Sequence, residues 1–595
     1  MKSFFALIMV IFLSGIVSAQ YQIKSPYLAN PSLTIGYVDS CAAFWLKAYD
    51  STAFGFFTNI DKTGGHTGNE KNLQTESRDA YGFIRAYQLT GKELYLYKAR
   101  QALAFMYAHA WDNTNGGWYW QIDNNGNPTS GNTTKDAFHQ HYALLGPTAM
   151  FEATRDTSHW TWAMKGYANN ESKLWDARVG YEGYYNSAAT NWTNKNGKSF
   201  NSTVDAITTH LLHFYLMTGN NAYLSKMVAV ADNMTNRLVA SMPSQKIGFC
   251  EGYDANWVPL STDTMTIMGH ILKTAWCFCR VNEYSPDTNY IFNAKKLFNH
   301  VYNKGYDKQL GGPYKDFSRN SGAMLMWGIS DSAKAWWQME QAVTAGLFLY
   351  KATGDQLYLQ VADETLNFFM KYFVDHTYGE VYQDRTRYGN IIASWGEWKG
   401  NGNKAGYHSI ELGYYTYLYG SFFVNKQPFT LYYNFAPSTS ERTISLTPIE
   451  TASNKYHIKD VTHNDVTCAD FNSAARTVHV LANDYGKFKV TFELDNSTGI
   501  ANDIKQIPRD FSLMQNYPNP FNPTTTIQYA LPRNTQVSIR VYNALGKEVR
   551  ELVNQEQPAG THSTSFSGEG LSSGVYFYTI RAGEFTASRK MLLIK

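Results

Sequence analysis

Apolar positions return every three or four residues from Asp79 to Tyr107, with a break at Thr90-Gly91-Lys92. That spacing predicts two helices joined by a tight turn, the glycine serving as a helix C-cap. The same helix–Thr-Gly-x–helix layout recurs at Thr218-Gly219-Asn220 and Thr353-Gly354-Asp355. Between the hairpins a second phrase repeats, a glycine followed by aromatic or apolar residues. Its copies are Gly55-Phe56-Phe57, Gly117-Trp118-Tyr119, Gly183-Tyr184-Tyr185, Gly248-Phe249-Cys250, Gly312-Pro313-Tyr314 and Gly379-Glu380-Val381-Tyr382, with successive glycines 62 to 67 residues apart. Asp112, Asp176, Asp307 and Asp375 precede four of them, and Pro243 interrupts the approach to the fourth. Each unit therefore reads as two helices plus a short extended loop. One such hairpin cannot bury its apolar face alone, whereas six in a closed ring can. The expectation is an α/α toroid, an (α/α)6 barrel over residues 22–425, with the glycine-aromatic loops on one face around a central cleft.

After Lys426 the period changes to two. Thr430-Leu431-Tyr432-Tyr433, Thr443-Ile444-Ser445-Leu446, Val478-His479-Val480-Leu481 and Phe488-Lys489-Val490-Thr491-Phe492 are short strand patterns, and they predict a small all-β sandwich over 426–495. Residues 496–511 read as a linker. From Ser512 the alternation resumes, with Val537-Ser538-Ile539-Arg540-Val541-Tyr542 and Gly574-Val575-Tyr576-Phe577-Tyr578 as strands of a second β-sandwich. This stretch, 512–595, opens with Asn516-Tyr517-Pro518-Asn519-Pro520-Phe521-Asn522-Pro523 and ends on Arg589-Lys590-Met591-Leu592-Leu593-Ile594-Lys595. It closely resembles the C-terminal sorting domain of the type IX secretion system. The resemblance implies export across the outer membrane through that machinery, with release or attachment at the cell surface. The other end agrees. Lys2, the apolar run Phe4–Leu13 and the small-residue end Val17-Ser18-Ala19 have the layout of a signal peptide, 1–19. No segment is long enough to predict a transmembrane helix in the mature chain.

Composition narrows the function. Charged residues are 17% of the chain and the net charge is +3, which argues against nucleic acid as a partner. Aromatic residues are 15%, a composition that suits neutral sugars as well as packed cores. The five cysteines, Cys41, Cys250, Cys277, Cys279 and Cys468, form no metal-ligand pattern.

Two histidines stand out by their settings, His270 in Gly269-His270-Ile271-Leu272-Lys273-Thr274-Ala275-Trp276 and His408 in Gly406-Tyr407-His408, after Glu397-Trp398-Lys399. Between them comes Lys334-Ala335-Trp336-Trp337-Gln338-Met339-Glu340-Gln341. With Lys71–Arg78 and Lys135–Tyr142 these phrases resemble, in order, the N-acylglucosamine 2-epimerase superfamily over about 370 residues. That superfamily includes cellobiose 2-epimerases and mannose isomerases. The resemblance implies an (α/α)6 barrel in which His270 and His408 exchange a proton at C2 of an open-chain sugar. Arg78 steadies the enediolate, and neither metal nor cofactor is required. It places Trp276, Trp336, Trp337, Trp398, Gln140, Lys273 and Glu340 against a mono- or oligosaccharide. The chain departs from the family pattern at three places. Lys273 and Gln341 stand where glutamates are usual, and Asp205 stands where cellobiose epimerases carry a histidine. Lys273, one turn from His270, is expected to disfavour its protonated form, which would make His270 the base and His408 the acid and suit an acidic sugar. Two other readings stay open. One is a glycoside hydrolase on the same toroid using Asp79, Asp136, Asp205, Asp254 or Glu340 as paired carboxylates, and the other is a non-catalytic glycan-binding protein. His139, His141, His210 and His213 are expected to be structural.

Overall fold

The computed structural model describes residues 21–329, 332–449, 455–495, 511–516 and 519–594. The expected signal peptide and nearly all of the expected linker lie outside them, as do Tyr517 and Pro518 of the Asn-Pro-rich run. Up to Asp495 the described chain is one compact unit, and from Phe511 it is a second.

The first unit is a helical toroid. Helix Leu73–Thr90 pairs with Glu93–His109, Leu145–Thr154 with Thr157–Lys173, Met268–Tyr284 with Thr288–Lys304, and Trp336–Thr353 with Gln356–Tyr372. The hairpin around Gly219 is less regular, because π-helical turns interrupt both arms at Ile207–Leu211 and Met234–Val239. Gly91, Gly219 and Gly354 end their helices with φ of 68°, 66° and 72°, the left-handed C-cap that the repeated Thr-Gly-x signals. The last helix, Tyr407–Tyr419, packs on Leu73–Thr90, Trp336–Thr353 and the early helix Leu33–Trp45, which closes the ring.

Two kinds of helix result. An outer helix such as Thr288–Lys304 buries one stripe, including Tyr290, Ala294, Leu297 and Val301. An inner helix is surrounded: every residue of Tyr407–Tyr419 is buried, and all of Leu73–Thr90 but its last residue. Glu76, Arg85, Lys273, Glu340 and Glu411 are therefore buried by position, and each needs a partner.

The repeats are stitched together at one end. The short strand leading into an inner helix pairs, antiparallel, with the loop of the next repeat. Lys71–Asn72 pairs with Gln121–Ile122, Thr134–Asp136 with Ser187–Ala189, and Lys198–Ser199 with Gly252–Tyr253. Met265–Ile267 pairs with Asp316–Ser318, and Ala333–Ala335 with Asp384–Thr386. A bridge between Ile60 and Gly400 joins the last repeat to the first. The glycine-aromatic loops thus share one end of the toroid.

A buried ion pair locks five of the six loops in place. Lys135 Nζ lies 2.6 Å from Asp112 Oδ2 and donates to the Gly116 carbonyl at 2.6 Å. The arrangement recurs at Asp50–Lys71 (2.9 Å), Asp176–Lys198 (2.8 Å), Asp307–Lys334 (3.1 Å) and Asp375–Lys399 (3.0 Å). The aspartate also accepts from amides of its own turn, as Asp112 Oδ1 does from Thr114 and Asn115. Aromatic rings complete the lysine boxes: Phe368 lies 3.8 Å from Lys334 Nζ and Tyr382 4.3 Å from Lys399 Nζ. Much of the aromatic content is spent here. The fourth repeat has no such pair. Thr266 occupies the lysine position, packed so closely on Gly248, whose φ is 69°, that a Cβ there would meet its Oγ1 at 2.1 Å. The fourth glycine phrase is thus a true repeat with a different lock.

Strands from Phe429 to Leu494 form a four-stranded and a three-stranded antiparallel sheet against the helices. The Tyr433 carbonyl accepts from Tyr87 Oη at 3.1 Å, and Ala436 N donates to the Thr154 carbonyl at 2.8 Å. The second unit contains a three-stranded and a four-stranded sheet around one apolar core that includes Ile527, Phe566, Ile539, Tyr578 and Leu593. Among the described residues no helix is long and apolar enough to cross a membrane.

Lys135→Met strands the Asp112 charge in the interior and is expected to cost about 3–5 kcal/mol in denaturant unfolding. Adding Asp112→Asn, which keeps an acceptor for the turn amides, should recover part of that loss. A single-variant loss under about 1 kcal/mol, the range of surface pairs, would refute the lock. Acid tests the same feature. Burial would raise the Asp375 carboxyl, but Tyr382, Lys399 and the turn amides outweigh it and hold it at about 2, against 3.8 when unperturbed. Its contribution should be complete above pH 3.8 and lost as pH falls toward 2, and an Asp375→Asn variant should flatten that part of the stability curve.

Candidate active site

The stitched ladders hand the chain directly to the inner helices, so the first turns of those helices converge at one end of the ring. The candidate residues occupy these turns. His270 is the third residue of Met268–Tyr284, Trp336 and Trp337 open Trp336–Thr353, and His408 is the second residue of Tyr407–Tyr419. Asn72, Asp136 and Ser199 cap their helices with side chains, whereas Ile267, Ala335 and Gly406, which precede the histidines and tryptophans, do not. Groups from neighbouring helices reach these starts instead: Gln338 Oε1 accepts from Gly269 N at 3.0 Å and Asp79 Oδ1 from Gly406 N at 2.7 Å.

His270 and His408 both lie beside the indole of Trp337. Ring centroids are 5.3 Å apart for His270–Trp337 and 6.1 Å for Trp337–His408. His270 also stacks on Phe200 at 3.8 Å, and its Nδ1 donates to Glu251 Oε2 at 2.7 Å. That bond fixes the tautomer and leaves Nε2 for a substrate. Glu251 is held by Ile267 N, which donates to its Oε1 at 3.0 Å. His408 lies beside Tyr407 and Trp336, with Nδ1 3.4 Å from Glu340 Oε2 and no hydrogen bond between them. Burial, then the positive charges of Arg78, Lys273 and Lys404, push His408 well below the usual histidine range. Arg78 stacks over Tyr142, guanidinium to ring 4.1 Å, and donates through Nη1 to the Asn403 carbonyl at 3.1 Å, while its Nε has no protein partner.

Behind His408 two acids share a buried space. Glu340 accepts from Thr344 Oγ1 at 2.8 Å and from Gln341 Nε2, and Glu411 accepts from Tyr81 Oη at 2.7 Å. Burial raises both carboxyls, Glu340 well above its ordinary range, with Glu411 beside it adding to the effect. Glu340, His408 and Glu411 can bring one ligand atom each within 4.8 Å of one another. The hydrogen bonds of the two carboxyls serve Thr344, Gln341 and Tyr81.

The structure corrects the expectation for Lys273. Its ammonium turns from His270 to Asp205, Nζ to Oδ1 2.5 Å, and also donates to Tyr142 Oη at 3.2 Å. Burial alone would lower this lysine, but Asp205 overrides that and raises it. The charge is thus cancelled within the core, and it is His408 that the surrounding cations depress. The cations thus depress His408, whereas His270 has a carboxylate, Glu251, against its Nδ1. Gln140 is fully engaged in holding a loop, its Oε1 accepting from Trp118 N at 2.9 Å and its Nε2 donating to Trp118 O at 2.8 Å. Trp276 is buried and donates to Gln341 Oε1 at 2.7 Å, so Gln341 links it to Glu340. Trp398 is half exposed and lines a neighbouring cleft with Trp395. Each carboxylate considered for hydrolysis has a structural partner, although Asp79 Oδ2 is buried without one. Asp205 pairs with Lys273, Asp79 holds Gly406, Asp136 caps its helix and bonds His139, and Asp254 accepts from Asn256 and Val258 in a turn.

Sequence reasoning missed Glu251, Glu411, Asp316 and Asp384. Glu251 follows the glycine phrase of the divergent fourth repeat, and Glu411 stands one turn after His408; both spacings are visible once the repeat is aligned.

The comparisons with known proteins agree with this geometry. The profile of the N-acylglucosamine 2-epimerase family matches residues 55–410, and that of the secretion system C-terminal sorting domain matches residues 515–595. The D-mannose isomerase of Marinomonas mediterranea is 20% identical over 368 residues, covering 60% of this chain and 90% of that protein. The cellobiose 2-epimerase of Ruminococcus albus is 22% identical over 387 residues, with 60% and 92% covered. A crystal structure of D-mannose isomerase superposes with a TM-score of 0.60 at 20% identity, covering 67% of this chain and all of that one. Cellobiose 2-epimerase from Spirochaeta thermophila gives 0.58 at 20% identity, covering 67% and 98%. At these identities the structural likeness speaks for the fold.

Lys273→Met should cost about 3–5 kcal/mol, and the double variant Lys273→Met/Asp205→Leu distinctly less, measured by urea unfolding. Equal losses would mean that the lysine charge serves something other than Asp205. Lys273→Glu sets two carboxylates against each other in the core, and its expected outcome is loss of folded protein, with no switch in sugar preference.

Proposed function

The chain belongs to the N-acylglucosamine 2-epimerase family, and on that premise we propose that it is a secreted sugar epimerase or isomerase moving a proton at C2 of a reducing sugar, with His408, His270 and Arg78 as its catalytic residues. The six stitched repeats, counting Leu33–Trp45 with Tyr407–Tyr419, then form an (α/α)6 barrel, followed by a β-sandwich module at 426–495 and a sorting-domain sandwich at 512–595. The C-terminal sorting domain marks the protein for secretion, with the type IX machinery as its partner.

The observation that carries the reading is the pair of imidazoles that both neighbour the Trp337 indole, in different electrostatic surroundings. A proton on C2 becomes acidic only when C1 is a carbonyl, because the resulting charge is delocalised as an enediolate. His408, kept neutral by burial and three nearby cations, takes that proton. His270, its Nδ1–H anchored on Glu251, delivers a proton through Nε2. Delivery to the opposite face of C2 gives the epimer, and delivery to C1 gives the ketose. Arg78, whose plane is fixed by Tyr142 and whose Nε is unpartnered, offers a permanent positive fork to the enediolate oxygens. The helix starts converging here add their positive ends. The substrate class is a mono- or oligosaccharide with a free reducing end.

The test is incubation of glucose, mannose and cellobiose with the protein in D2O, followed by NMR. Deuterium should enter C2 of the epimer, or C1 where the ketose appears. His408→Asn and His270→Asn should each slow this by about 10²–10⁴-fold. Since the base must be neutral and His408 lies below 6.5, the limb due to it should fall only at pH well under 6.5. New reducing ends from an oligosaccharide would point to hydrolysis instead, and binding without exchange to a lectin-like role.

A further inference from the structure

Reducing sugars in water are almost wholly cyclic, so proton transfer at C2 must be preceded by ring opening, which needs an acid at the ring oxygen. The two histidines do not supply it on the reading above: His408 is neutral, and His270 keeps its proton for the enediolate. A different group is placed to do so. Next to Trp336 lies a cleft of about 230 Å3 lined by Lys315, Gln383, Asp384, Trp395, Trp398 and Asn401. Its floor is the ladder that feeds the tryptophan helix: Asp384 stands opposite Ala335, and the Gln383 carbonyl accepts from Trp336 N at 2.9 Å.

We propose that Asp384 is a further catalytic residue, the acid that opens the sugar ring before the histidines act. The proposal rests on the epimerase reading. Asp384 Oδ1 is buried without a hydrogen-bond partner, and the nearest cation, Lys315 Nζ, stands 3.5 Å from it. Four other carboxyls nearby are committed. Asp316 takes Trp327 Nε1 at 3.0 Å and Gln338 Nε2 at 3.4 Å, Glu251 holds His270 and Ile267 N, and Glu340 and Glu411 are sealed behind His408. Charged groups face Asp384 from each neighbouring element: Lys315 and Asp316 from the preceding repeat's loop, and Lys404 from the segment before His408. Burial, reinforced by Asp316 and opposed by Lys315 and Lys404, brings the carboxyl up to about 6, so a useful fraction carries its proton near neutral pH.

The step balances without a co-reactant other than water. The Asp384 proton passes to the ring oxygen O5 as the C1–O5 bond breaks and its electron pair moves to O5. The O1–H proton leaves to water in the cleft, its bonding pair becomes the C1=O1 π bond, and water reprotonates Asp384. The aromatic rings of Trp395 and Trp398 provide apolar faces for the ring being opened.

The experiment measures two rates on the whole protein with glucose and mannose: anomer exchange by NMR saturation transfer, and deuterium uptake at C2 in D2O. Wild type should accelerate both. Asp384→Asn should lose at least 10²-fold of the acceleration of anomer exchange, C2 uptake should fall with it, and the descending limb of the wild-type anomer-exchange profile above about pH 6 should vanish. Asp384→Glu, which keeps the acid, should restore part of the anomer exchange, an outcome that loss of folding would not give. Anomer exchange unchanged in Asp384→Asn, with wild-type C2 uptake present, overturns the role of Asp384 alone. Absence of C2 uptake in wild type on any aldose overturns the epimerase reading, and this role with it.

Discussion

Everything in the toroid hangs on a buried lysine that turns back from the strand entering an inner helix to grip the aspartate of its own loop. Five repeats carry it, at Asp50–Lys71, Asp112–Lys135, Asp176–Lys198, Asp307–Lys334 and Asp375–Lys399. The pair does more than cancel charge. The ammonium also donates to a loop carbonyl, and the carboxylate accepts the amides of the turn, so the loop's own polar groups are satisfied in a place water does not reach. Because both partners are desolvated, the pair tolerates little displacement, and each loop is held in one position relative to its helix. Ladders between neighbouring repeats convert that local rigidity into a ring.

The functional end is built from the same constraint. Inner helices that begin immediately after a fixed strand present their first residues at defined points around the axis, which is where His270, Trp336 and Trp337 fall, and His408 stands at the start of the helix that closes the ring. The fourth repeat, where Thr266 replaces the lysine, is also the one that supplies Glu251 and His270. Where the lock is relaxed, a carboxylate becomes free to orient a histidine. Charges within the ring then sort themselves: Lys273 with Asp205, Arg85 with Glu152, Glu251 with His270. Around His408 stand Arg78 and the paired ammoniums of Lys273 and Lys404, with a carboxyl pair behind it. Such a field suits an anionic enediolate more than a second cation.

Aromatic residues serve two masters here. Phe368, Tyr382, Trp192 and Trp257 enclose the lysines of the locks, and Trp276 and Trp336 are packed in the interior. Trp395 and Trp398 line the cleft beside the Trp336 helix, and Trp337 neighbours both imidazoles.

Periodicity determined the hairpins, their glycine turns and the repeat of 62 to 67 residues, because helix geometry and a left-handed C-cap are local properties of the chain. The Asn-Pro-rich motif and the Trp-Trp, Gly-His and Gly-Tyr-His phrases identified the sorting domain and the family by order along the sequence. The aspartates of the repeat were visible, but the lysines 21 to 27 residues further on were not, since their pairing closes a loop that only the fold brings together. The same holds for the site. Lys273 looked like the neighbour of His270 because one helical turn separates them, yet side chains on surrounded inner helices choose partners across the ring, and Asp205, 68 residues away, captured it. Sequence could name which residues carry chemistry. Which of them share a proton, which cancel and which face the sugar depended on desolvation, and desolvation is a property of the assembled ring.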